Sequence, residues 1–368
     1  MYDKNTVPTK TNILSVNTYK AIGIMSGTSL DGVDLAYCIF EKNKKKWSYK
    51  IIYATTYNYN NKWKEKLRTL NQKDAFTFVK TNIEYGHFLG LITKKFIKKN
   101  NISADFIVSH GHTIFHQPDK KITCQIGDGS AITAQTNLPV ICNMRSLDVA
   151  LNGQGAPLVP VGDKLLFGNF EYCLNLGGFA NISYDDKNNN RIAYDICPVN
   201  IIINNLTEKT GKKYDDKGNI AKKGNINNKL LKDLNNIRFY KQLPPKSLSI
   251  EWLYQYFIPV LDNYNISIND KLRTIYEHIA IQISIATSNY KEKNILVTGG
   301  GTFNTFLINR IKANLNHKII IPDKNVINYK EALIFAFLGV LRIRKEINCL
   351  SSVTGAKKNT CNGAVFFI

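Results

Sequence analysis

Short apolar runs separated by tight turns open the chain. Residues 20–26 and 33–40 are two such runs on either side of the turn Asp31–Gly32, and a third covers residues 49–55. Runs of this length with a turn between them predict neighbouring antiparallel strands. The chain is therefore expected to begin with three successive strands, and not with the strand, glycine-rich loop and helix of the common dinucleotide folds.

A helical pattern follows these strands. Apolar residues recur at helical spacing over residues 84–99, and the apolar runs at 105–109 and 138–143 indicate buried strands. These elements predict an α/β domain with a mixed sheet. We assign residues 19–150 and 343–368 to it.

The second part of the chain, residues 151–342, repeats this order and is expected to form a second α/β domain. Residues 207–228 are polar and contain glycine, which predicts a surface excursion. Residues 1–18 are polar and are expected to be a disordered extension. The elements predicted for the second domain are strands at 171–176, 191–195 and 294–298, and helices at 252–260 and 271–290.

Composition and length exclude several classes of protein. The chain has 368 residues, of which 44% are hydrophobic and 21% charged, as is typical of a globular protein. Its longest apolar stretch, residues 332–341, is much shorter than the roughly 20 residues that cross a bilayer. The first residues also lack the apolar region of a secretory signal. We therefore expect a cytoplasmic protein with no membrane partner.

The formal charge of +21 first suggests a nucleic-acid partner, because phosphates attract clustered basic residues. Only 8 of the 49 basic residues are arginine, the side chain suited to bidentate phosphate and base contacts. The lysines are scattered, and lysine, asparagine and isoleucine all have A/T-rich codons. We predict no nucleic-acid partner.

Glycine-dense turns beside apolar strands carry the candidate chemistry. GTSLDGVD at residues 27–34 combines two glycines, which let backbone amides approach an anion, with hydroxyl and carboxylate side chains. An ordinary hairpin turn is the alternative there. Similar turns occur in GQGAPLV (153–159), NLGGFANIS (175–183) and VTGGGTFN (297–304). Four such turns in both halves predict a ligand cleft.

Two other features add polar chemistry. SHGHTIFHQP (109–118) holds three histidines, but no carboxylate or thiol completes a set of metal ligands, so we predict no metal centre formed by these side chains. It is expected to be a polar loop that binds a small ligand. Asp195 ends a short predicted strand before Pro198, where a carboxylate can face a cleft or simply cap a turn.

Nine motifs occur in this order along the chain: MSGTSLDGVD, SHGHTIFHQP, QIGDGSAI, NGQGAPLVP, LNLGGFANIS, YDDKGNIAKKG, LVTGGGTFN, EALIFAFL and SVTGA. Together they resemble the anhydro-N-acetylmuramic acid kinase family, from about Lys20 to the C-terminus. The resemblance implies the superfamily of sugar kinases, heat-shock chaperones and actin. Its fold is α/β, with two ribonuclease H-like domains whose mixed sheets flank a central nucleotide cleft.

The resemblance also implies an activity. ATP phosphorylates the 6-hydroxyl of 1,6-anhydro-N-acetylmuramic acid while water opens the anhydro ring, which yields N-acetylmuramic acid 6-phosphate and ADP in peptidoglycan recycling. ATP and Mg²⁺ are the implied cofactors, the amino sugar is the implied partner, and a homodimer is one state open to the chain. Another sugar kinase of the superfamily and a catalytically weak ATP-binding regulatory protein are the alternatives.

The resemblance assigns roles residue by residue. Asp195 matches the catalytic base that takes a proton from water. The residues matching the ATP site are Gly27, Thr28, Ser29, Leu30, Asp31, Gly32, Val33, Asp34, Gly177, Gly178, Gly300, Gly301 and Asn304. The residues matching the substrate site are His112, Thr113, Gln117, Arg145, Asn200 and Glu331.

The chain departs from the family pattern at three places. Residues 195–200 read DICPVN where family members read D-T-G-P-G-N, Asn143 replaces an Asp, and Asn152 replaces a Gly. The base survives. The loss of two glycines and a threonine hydroxyl leaves the conformation of the loop after Asp195 open.

Overall fold

The computed structural model describes residues 17–27, 30–290 and 292–368. Its strands are β1 (Thr18–Ser26), β2 (Gly32–Asn43), β3 (Lys46–Asn58), β4 (Phe106–Ser109), β5 (His112–Gln117), β6 (Ile122–Ile126), β7 (Val140–Cys142), β8 (Tyr172–Leu176), β9 (Phe179–Asp185), β10 (Arg191–Pro198), β11 (Asn294–Thr298), β12 (Lys318–Ile320) and β13 (Ala364–Phe366). Its α-helices are α1 (Asn61–Thr69), α2 (Ala75–Asn100), α3 (Gly129–Thr136), α4 (Ser146–Ala150), α5 (Val159–Leu166), α6 (Asn200–Glu208), α7 (Asn228–Asn235), α8 (Ile250–Trp252), α9 (Ile258–Asp262), α10 (Ile268–Ala286), α11 (Thr305–Asn314), α12 (Lys324–Ile343) and α13 (Ser351–Thr354). None of the described helices is long and apolar enough to cross a membrane.

The described chain divides into two compact units. The first comprises the residues up to Leu166 together with Tyr329–Ile368, and the second comprises Phe167–Asn328. Helix α5 and most of α12 thus belong to the first unit, whereas the boundaries expected from the sequence, after residues 150 and 342, would assign both to the second. The two helices pack closely, since a Cβ on Gly162 of α5 would lie 2.6 Å from Ile334 of α12.

The first unit contains a six-stranded mixed sheet in the order β13-β7-β4-β1-β2-β3. Strands β1, β2 and β3 are antiparallel neighbours, as the three opening apolar runs predict. Strands β1, β4 and β7 run parallel to one another. A separate two-stranded sheet pairs β5 with β6.

The second unit has a five-stranded sheet in the order β10-β9-β8-β11-β12. Strands β8, β9 and β10 are antiparallel neighbours, and β8, β11 and β12 are parallel. When only the strands of each main sheet are numbered, in chain order, both sheets contain the order 3-2-1-4-5. This is the strand order of a ribonuclease H-like domain, so the expected fold class is confirmed.

Helix α12 covers the sheet of the first unit at very short range. A Cβ on Gly23 of β1 would lie 1.9 Å from the carbonyl oxygen of Ala332, and one on Gly339 would lie 2.2 Å from Val108 of β4. Residues 332–341, the longest apolar stretch of the sequence, are buried throughout. That stretch is therefore a core helix, and two glycines allow its close contact with the strands.

Two predicted elements of the second unit differ from the structure. Residues 250–262 form α8, a π-helical turn at Leu253–Phe257 and then α9, where a regular helix was expected. The excursion at 207–228 is not confined to the surface. Asp215 within it is 3% exposed, because its carboxylate accepts hydrogen bonds from the backbone N–H groups of Ile220 and Ala221 and from the Tyr276 hydroxyl.

The contact between α12 and β1 predicts a strong effect of Gly23→Ala. The added methyl group would overlap the backbone of α12, so we expect a loss of about 3 kcal/mol in the free energy of unfolding, the upper end for overpacked cores. Urea unfolding measures this. Gly178→Ala is the control, because a Cβ there first meets an atom at 3.9 Å. Equal stability of the two variants would contradict the packing described here.

Candidate active site

In the first unit, the carboxyl ends of three parallel strands gather the predicted motifs at one edge of the sheet. The segment 27–34 follows β1, SHGHTIFHQP begins at the end of β4, and Asn143, Met144 and Arg145 follow β7. Ligands of open α/β sheets bind outside the carboxyl ends of the strands. This edge is therefore the candidate ligand-binding edge of the first unit.

The predicted phosphate loop is described only in part, because Thr28 and Ser29 lie outside the described residues. Leu30, which follows them, donates its N–H to the carbonyl oxygen of Gly27 at 3.4 Å and has a φ of 58°. A left-handed φ at a residue other than glycine is uncommon and occurs most often where function needs a special backbone.

Gly32 and Val33 of the same segment have structural roles. A Cβ on Gly32 would lie 2.6 Å from the carbonyl oxygen of Tyr57 in β3, and Val33 is fully buried. At these two positions the hairpin alternative explains the residue types, whether or not a phosphate binds nearby.

Three carboxylates concentrate negative charge in this part of the first unit. Asp34 Oδ1 accepts a hydrogen bond from Thr56 Oγ1 at 2.6 Å. Burial raises the pKa of Asp34; this hydrogen bond opposes the rise, and the charge of Asp31 adds to it. Desolvation by the surrounding protein also raises the pKa of Glu331, which still reaches solvent; Arg145 opposes this rise and Asp34 adds to it. Carboxylates whose pKa is raised by a neighbouring negative charge are suited to a nearby cation.

Arg145 is held by two partners. Its Nε and Nη2 lie 3.1 and 2.9 Å from His110 Nε2, and its Nη1 donates to the carbonyl oxygen of Gly155 at 2.6 Å. A guanidinium only donates, so His110 Nε2 is the acceptor, and Nδ1–H donates to the carbonyl oxygen of Gly111 at 2.8 Å. Burial, with the Arg145 charge adding, lowers the pKa of His110 to about 3. His110 is therefore neutral at physiological pH.

The segment expected to be a polar ligand loop is a strand, and that expectation is wrong. Residues His112–Gln117 form β5, in which Thr113 pairs with Gln125 and Gln117 with Ile122. His112 is 4% exposed, and burial lowers its pKa to about 4. A role of these side chains in substrate binding stays a prediction.

His112 belongs to a buried hydrogen-bond network at the end of β1. Its Nδ1 lies 2.9 Å from Oγ of Ser26, which also lies 2.7 Å from the hydroxyl of Tyr59 and accepts from Tyr85 at 2.9 Å. Ser26 is the last residue of β1. The network therefore fixes the point from which residues 27–34 depart.

The GQGAPLV turn is held by Asp148, which is fully buried. Its Oδ2 accepts the N–H of Gly155 at 2.8 Å, and its Oδ1 accepts from Thr354 Oγ1 at 2.8 Å and from Cys349 Sγ at 3.1 Å. A Cβ on Gly153 would lie 2.1 Å from Oδ2. These contacts give the glycines of the turn a structural explanation.

An open cavity of about 280 Å³ with both polar and apolar lining residues lies in the first unit beside these elements. The motif QIGDGSAI contributes Gln125, Gly127, Asp128 and Gly129 to its wall, and His110 contributes too.

The second unit presents glycine turns at the same edge of its own sheet. Gly177 and Gly178 follow β8, and residues 299–301 follow the parallel strand β11. A Cβ on Gly299 would lie 2.6 Å from Asn175, and a Cβ on Gly301 would lie 2.7 Å from Leu176. Both glycines are thus needed for packing.

Gly178 and Gly300 differ from these. The nearest atoms to a Cβ would be 3.9 Å away at Gly178 and 3.8 Å away at Gly300, and neither glycine has a positive φ. Within the described residues, no contact and no backbone conformation requires glycine at either position. Close approach of a ligand to the backbone is the remaining physical reason.

Two asparagines predicted to contact ligands have partners within the second unit. Asn200 Nδ2 donates to the carbonyl oxygen of Leu176 at 3.1 Å. Asn304 Oδ1 accepts from Leu307 N–H at 3.1 Å and so caps α11, while its Nδ2 donates to the Tyr276 hydroxyl at 2.6 Å. Both side chains position the glycine turns, and direct contact with a ligand stays a prediction.

Asp195 lies at a β-bulge in β10, where the pairing with β9 shifts between Asp195 and Cys197. Its Oδ2 accepts the backbone N–H of Leu248 at 2.9 Å. Burial raises the pKa of Asp195, and this hydrogen bond opposes the rise. The sequence did not predict a role for Leu248, because its contact with Asp195 uses the backbone N–H, which does not depend on the type of side chain.

The structure explains the departures from the family pattern. Asn143 and Asn152 have φ values of 56° and 66°, which asparagine tolerates better than most residues. Ile196, Cys197 and Val199 are buried in the core of the second unit. The substituted side chains therefore pack into that core.

Comparison with known proteins decides the family. The model of the anhydro-N-acetylmuramic acid kinase family matches residues 19–368. An anhydro-N-acetylmuramic acid kinase of Mannheimia succiniciproducens is 34% identical and covers 94% of this chain and 98% of its own, and one of Clostridioides difficile is 32% identical with 94% and 97% covered. The chain belongs to the anhydro-N-acetylmuramic acid kinase family. The family indicated by the nine motifs is confirmed.

A solved structure of lower similarity is the activator of the 2-hydroxyisocaproyl-CoA dehydratase from Clostridium difficile with bound ADPNP. It is 14% identical, covers 88% of this chain and 96% of its own, and has a TM-score of 0.44. This likeness is too low to carry a conclusion. The fold class of this member of the anhydro-N-acetylmuramic acid kinase family rests on the strand order of its two sheets.

The contact between Arg145 and His110 predicts a titration. Arg145→Gln removes a positive charge beside His110, so the pKa of His110 should rise from about 3, while burial keeps it below 6.5. The ¹⁵N shifts of the histidine rings report both the pKa and the tautomer. His278, whose pKa burial alone lowers to about 3, should not change in the same spectra. Titration of wild-type His110 near 6.5 would refute the assignment.

Proposed function

We propose that this chain transfers the γ-phosphoryl group of ATP to O6, the bridging oxygen of 1,6-anhydro-N-acetylmuramic acid, while water opens the anhydro ring. The products are N-acetylmuramic acid 6-phosphate and ADP. Membership in the family supports the substrate. The observation that carries the chemistry is Asp195, a half-buried carboxylate that a backbone donor orients.

The reaction combines two bond changes. The oxygen of water attacks the anomeric carbon, and the bond from that carbon to O6 breaks. O6 then carries the transferred phosphoryl group, and ADP leaves. Asp195 takes the proton of the water, and its raised pKa makes it a better base near neutral pH than an ordinary aspartate.

ATP fits the second unit at the two glycines that have no structural explanation. A Cβ at Gly178 or Gly300 would fill the space into which a nucleotide approaches the backbone. Gly177, Gly301 and Asn304 then shape these turns. Residues 27–34 of the first unit stay the predicted phosphate loop.

Mg²⁺ fits the charge balance of the first unit. The charge of Asp31 adds to the rise in the pKa of Asp34, the charge of Asp34 adds to the rise in the pKa of Glu331, and a cation would relieve this repulsion. No three His, Cys, Asp or Glu side chains of the described residues are grouped to hold a metal ion by themselves. Mg²⁺ would therefore be held together with the nucleotide phosphates, and it would neutralise charge on the transferring oxygens.

The use of ATP supports a cytoplasmic location, and we propose a homodimer as the oligomeric state, which sedimentation equilibrium measures. Another sugar kinase of the superfamily remains the second candidate function, because such a kinase would share the ATP residues. Phosphoryl transfer to the anhydro sugar and to ordinary hexoses, compared under one set of conditions, separates the two.

Asp195→Asn tests the catalytic base. The amide keeps the size of the side chain and can still accept from Leu248, but it cannot take a proton. Turnover should therefore fall by at least about 10²-fold while the affinity for ATP stays near wild type. A coupled assay of ADP release and calorimetric titration with a non-hydrolysable ATP analogue measure the two quantities.

Asp216→Asn is the matched control, because Asp216 is an exposed carboxylate of the same unit. It should keep wild-type turnover. If Asp195→Asn also kept most of its sugar-dependent turnover, Asp195 would not be the base, and Glu331 would be tested next.

Gly300→Ala and Gly301→Ala separate ligand approach from packing. We expect Gly300→Ala to weaken nucleotide binding by about tenfold without a change in melting temperature, since its Cβ meets only the bound nucleotide. Gly301→Ala should lower the melting temperature, because its Cβ would lie 2.7 Å from Leu176. Tight nucleotide binding by a stable Gly300→Ala variant would remove Gly300 from the site.

A further inference from the structure

A short segment outside the nine family motifs lies against Asp195. The backbone N–H of Asp195 donates to the carbonyl oxygen of Lys246 at 3.1 Å, and the N–H of Leu248 donates to Asp195 Oδ2 at 2.9 Å. We call residues 246–248 the strap. Strand β10 is an edge strand of its sheet, so the strap covers an edge that would otherwise be open at the catalytic position.

The strap contacts both the backbone and the carboxylate of one residue. Asp195 sits at the β-bulge, where Ile196 is inserted without a partner in β9. A bulge interrupts the ladder and redirects side chains. The two strap hydrogen bonds replace the restraint that regular pairing would supply.

Lys246 anchors the strap to the same strand. Its Nζ donates to the carbonyl oxygen of Phe239 at 3.3 Å and lies 4.7 Å from the centre of the Phe239 ring. The same atom lies 5.7 Å from the centre of the Tyr194 ring, next to Asp195 in β10. Cation–π contacts of this kind stabilise a lysine against aromatic faces, so the strap cannot leave β10 without losing them.

The carboxylate is thereby used asymmetrically. The backbone N–H of Leu248 donates to Asp195 Oδ2, and among the described residues Asp195 Oδ1 has no hydrogen-bond donor. A carboxylate fixed at one oxygen presents the other in a defined direction, as a base that must meet a water molecule requires.

We propose that the backbone N–H of Leu248 is a positioning donor for the reaction, which holds Asp195 Oδ2 so that Oδ1 faces the attacking water. This inference rests on the proposed function, because it takes Asp195 as the base. The inference adds a positioning residue that does not contact the substrate and acts only through Asp195.

The proposal has a signature in the pH profile. A donor to the carboxylate favours its charged form, so removal of the donor raises the pKa of Asp195 further. The base works when it is ionised, so activity is lost as the pH falls through this pKa. Removal of the donor therefore shifts the acid limb of kcat/KM to higher pH.

The test compares Leu248→Pro, which lacks the N–H, with Leu248→Ala, which keeps it. We expect Leu248→Pro to move the acid limb up by about one pH unit and to lower kcat about tenfold, the size typical of a hydrogen bond to a charged group. The KM for ATP should not change. Leu248→Ala should match wild type in all three. An acid limb that stays in place in a folded Leu248→Pro would overturn the proposal.

Two further variants distinguish the causes of failure. In the Asp195→Asn background, Leu248→Pro should lower turnover no further, because its target is already lost; a further loss would show that proline simply damages the unit. If Leu248→Pro does not fold, the α-hydroxy acid analogue of leucine at position 248 replaces the N–H by oxygen and keeps the side chain. The same shift supports the proposal, and no shift refutes it.

The outcome for the base is separate. If Asp195→Asn keeps its turnover, the proposed base fails and the strap has no catalytic role. If Asp195→Asn loses turnover but removal of the N–H at position 248 does not shift the acid limb of kcat/KM, only the strap proposal fails.

Discussion

Parallel pairing of the first and fourth strands in each sheet is the constraint on which the candidate site residues of each unit depend. It brings the carboxyl ends of β1 and β4, and those of β8 and β11, to one edge of each unit. Turns that follow these strands must then lie side by side. For this reason residues far apart in sequence, such as the segment after Ser26 and the pair His110 and Arg145, share one surface.

Once the strand ends are together, buried polar groups decide the local conformation. His110, Asp148 and Asp195 lie in places where an unpaired polar atom would be costly, and each has a defined partner. Arg145 holds His110, Gly155 holds Asp148, and the strap holds Asp195, the proposed base. The candidate site residues are therefore held by hydrogen bonds to the backbone as well as to side chains.

The sequence was most informative where residue type reports backbone shape. Apolar runs predicted β1, β2 and β3, and glycine marked the turns after β8 and β11. It was least informative where contacts between residues far apart in sequence decide the local structure. The polar appearance of residues 109–118 predicted a loop, but Ser26, Tyr59 and Tyr85 give His112 buried partners that lie far away in sequence. Asp215 is buried for the same reason, and the donor at Leu248 belongs to the backbone, which every residue but proline carries.

In the proposed reaction, water opens the anhydro ring while O6 receives the phosphoryl group. Reaction in ¹⁸O-labelled water tests this, with products quenched early and examined by mass spectrometry. We expect the label to enter the sugar at its anomeric carbon and to stay out of the transferred phosphate group and of ADP. Label that appears instead in inorganic phosphate, with the anhydro ring intact, would contradict it.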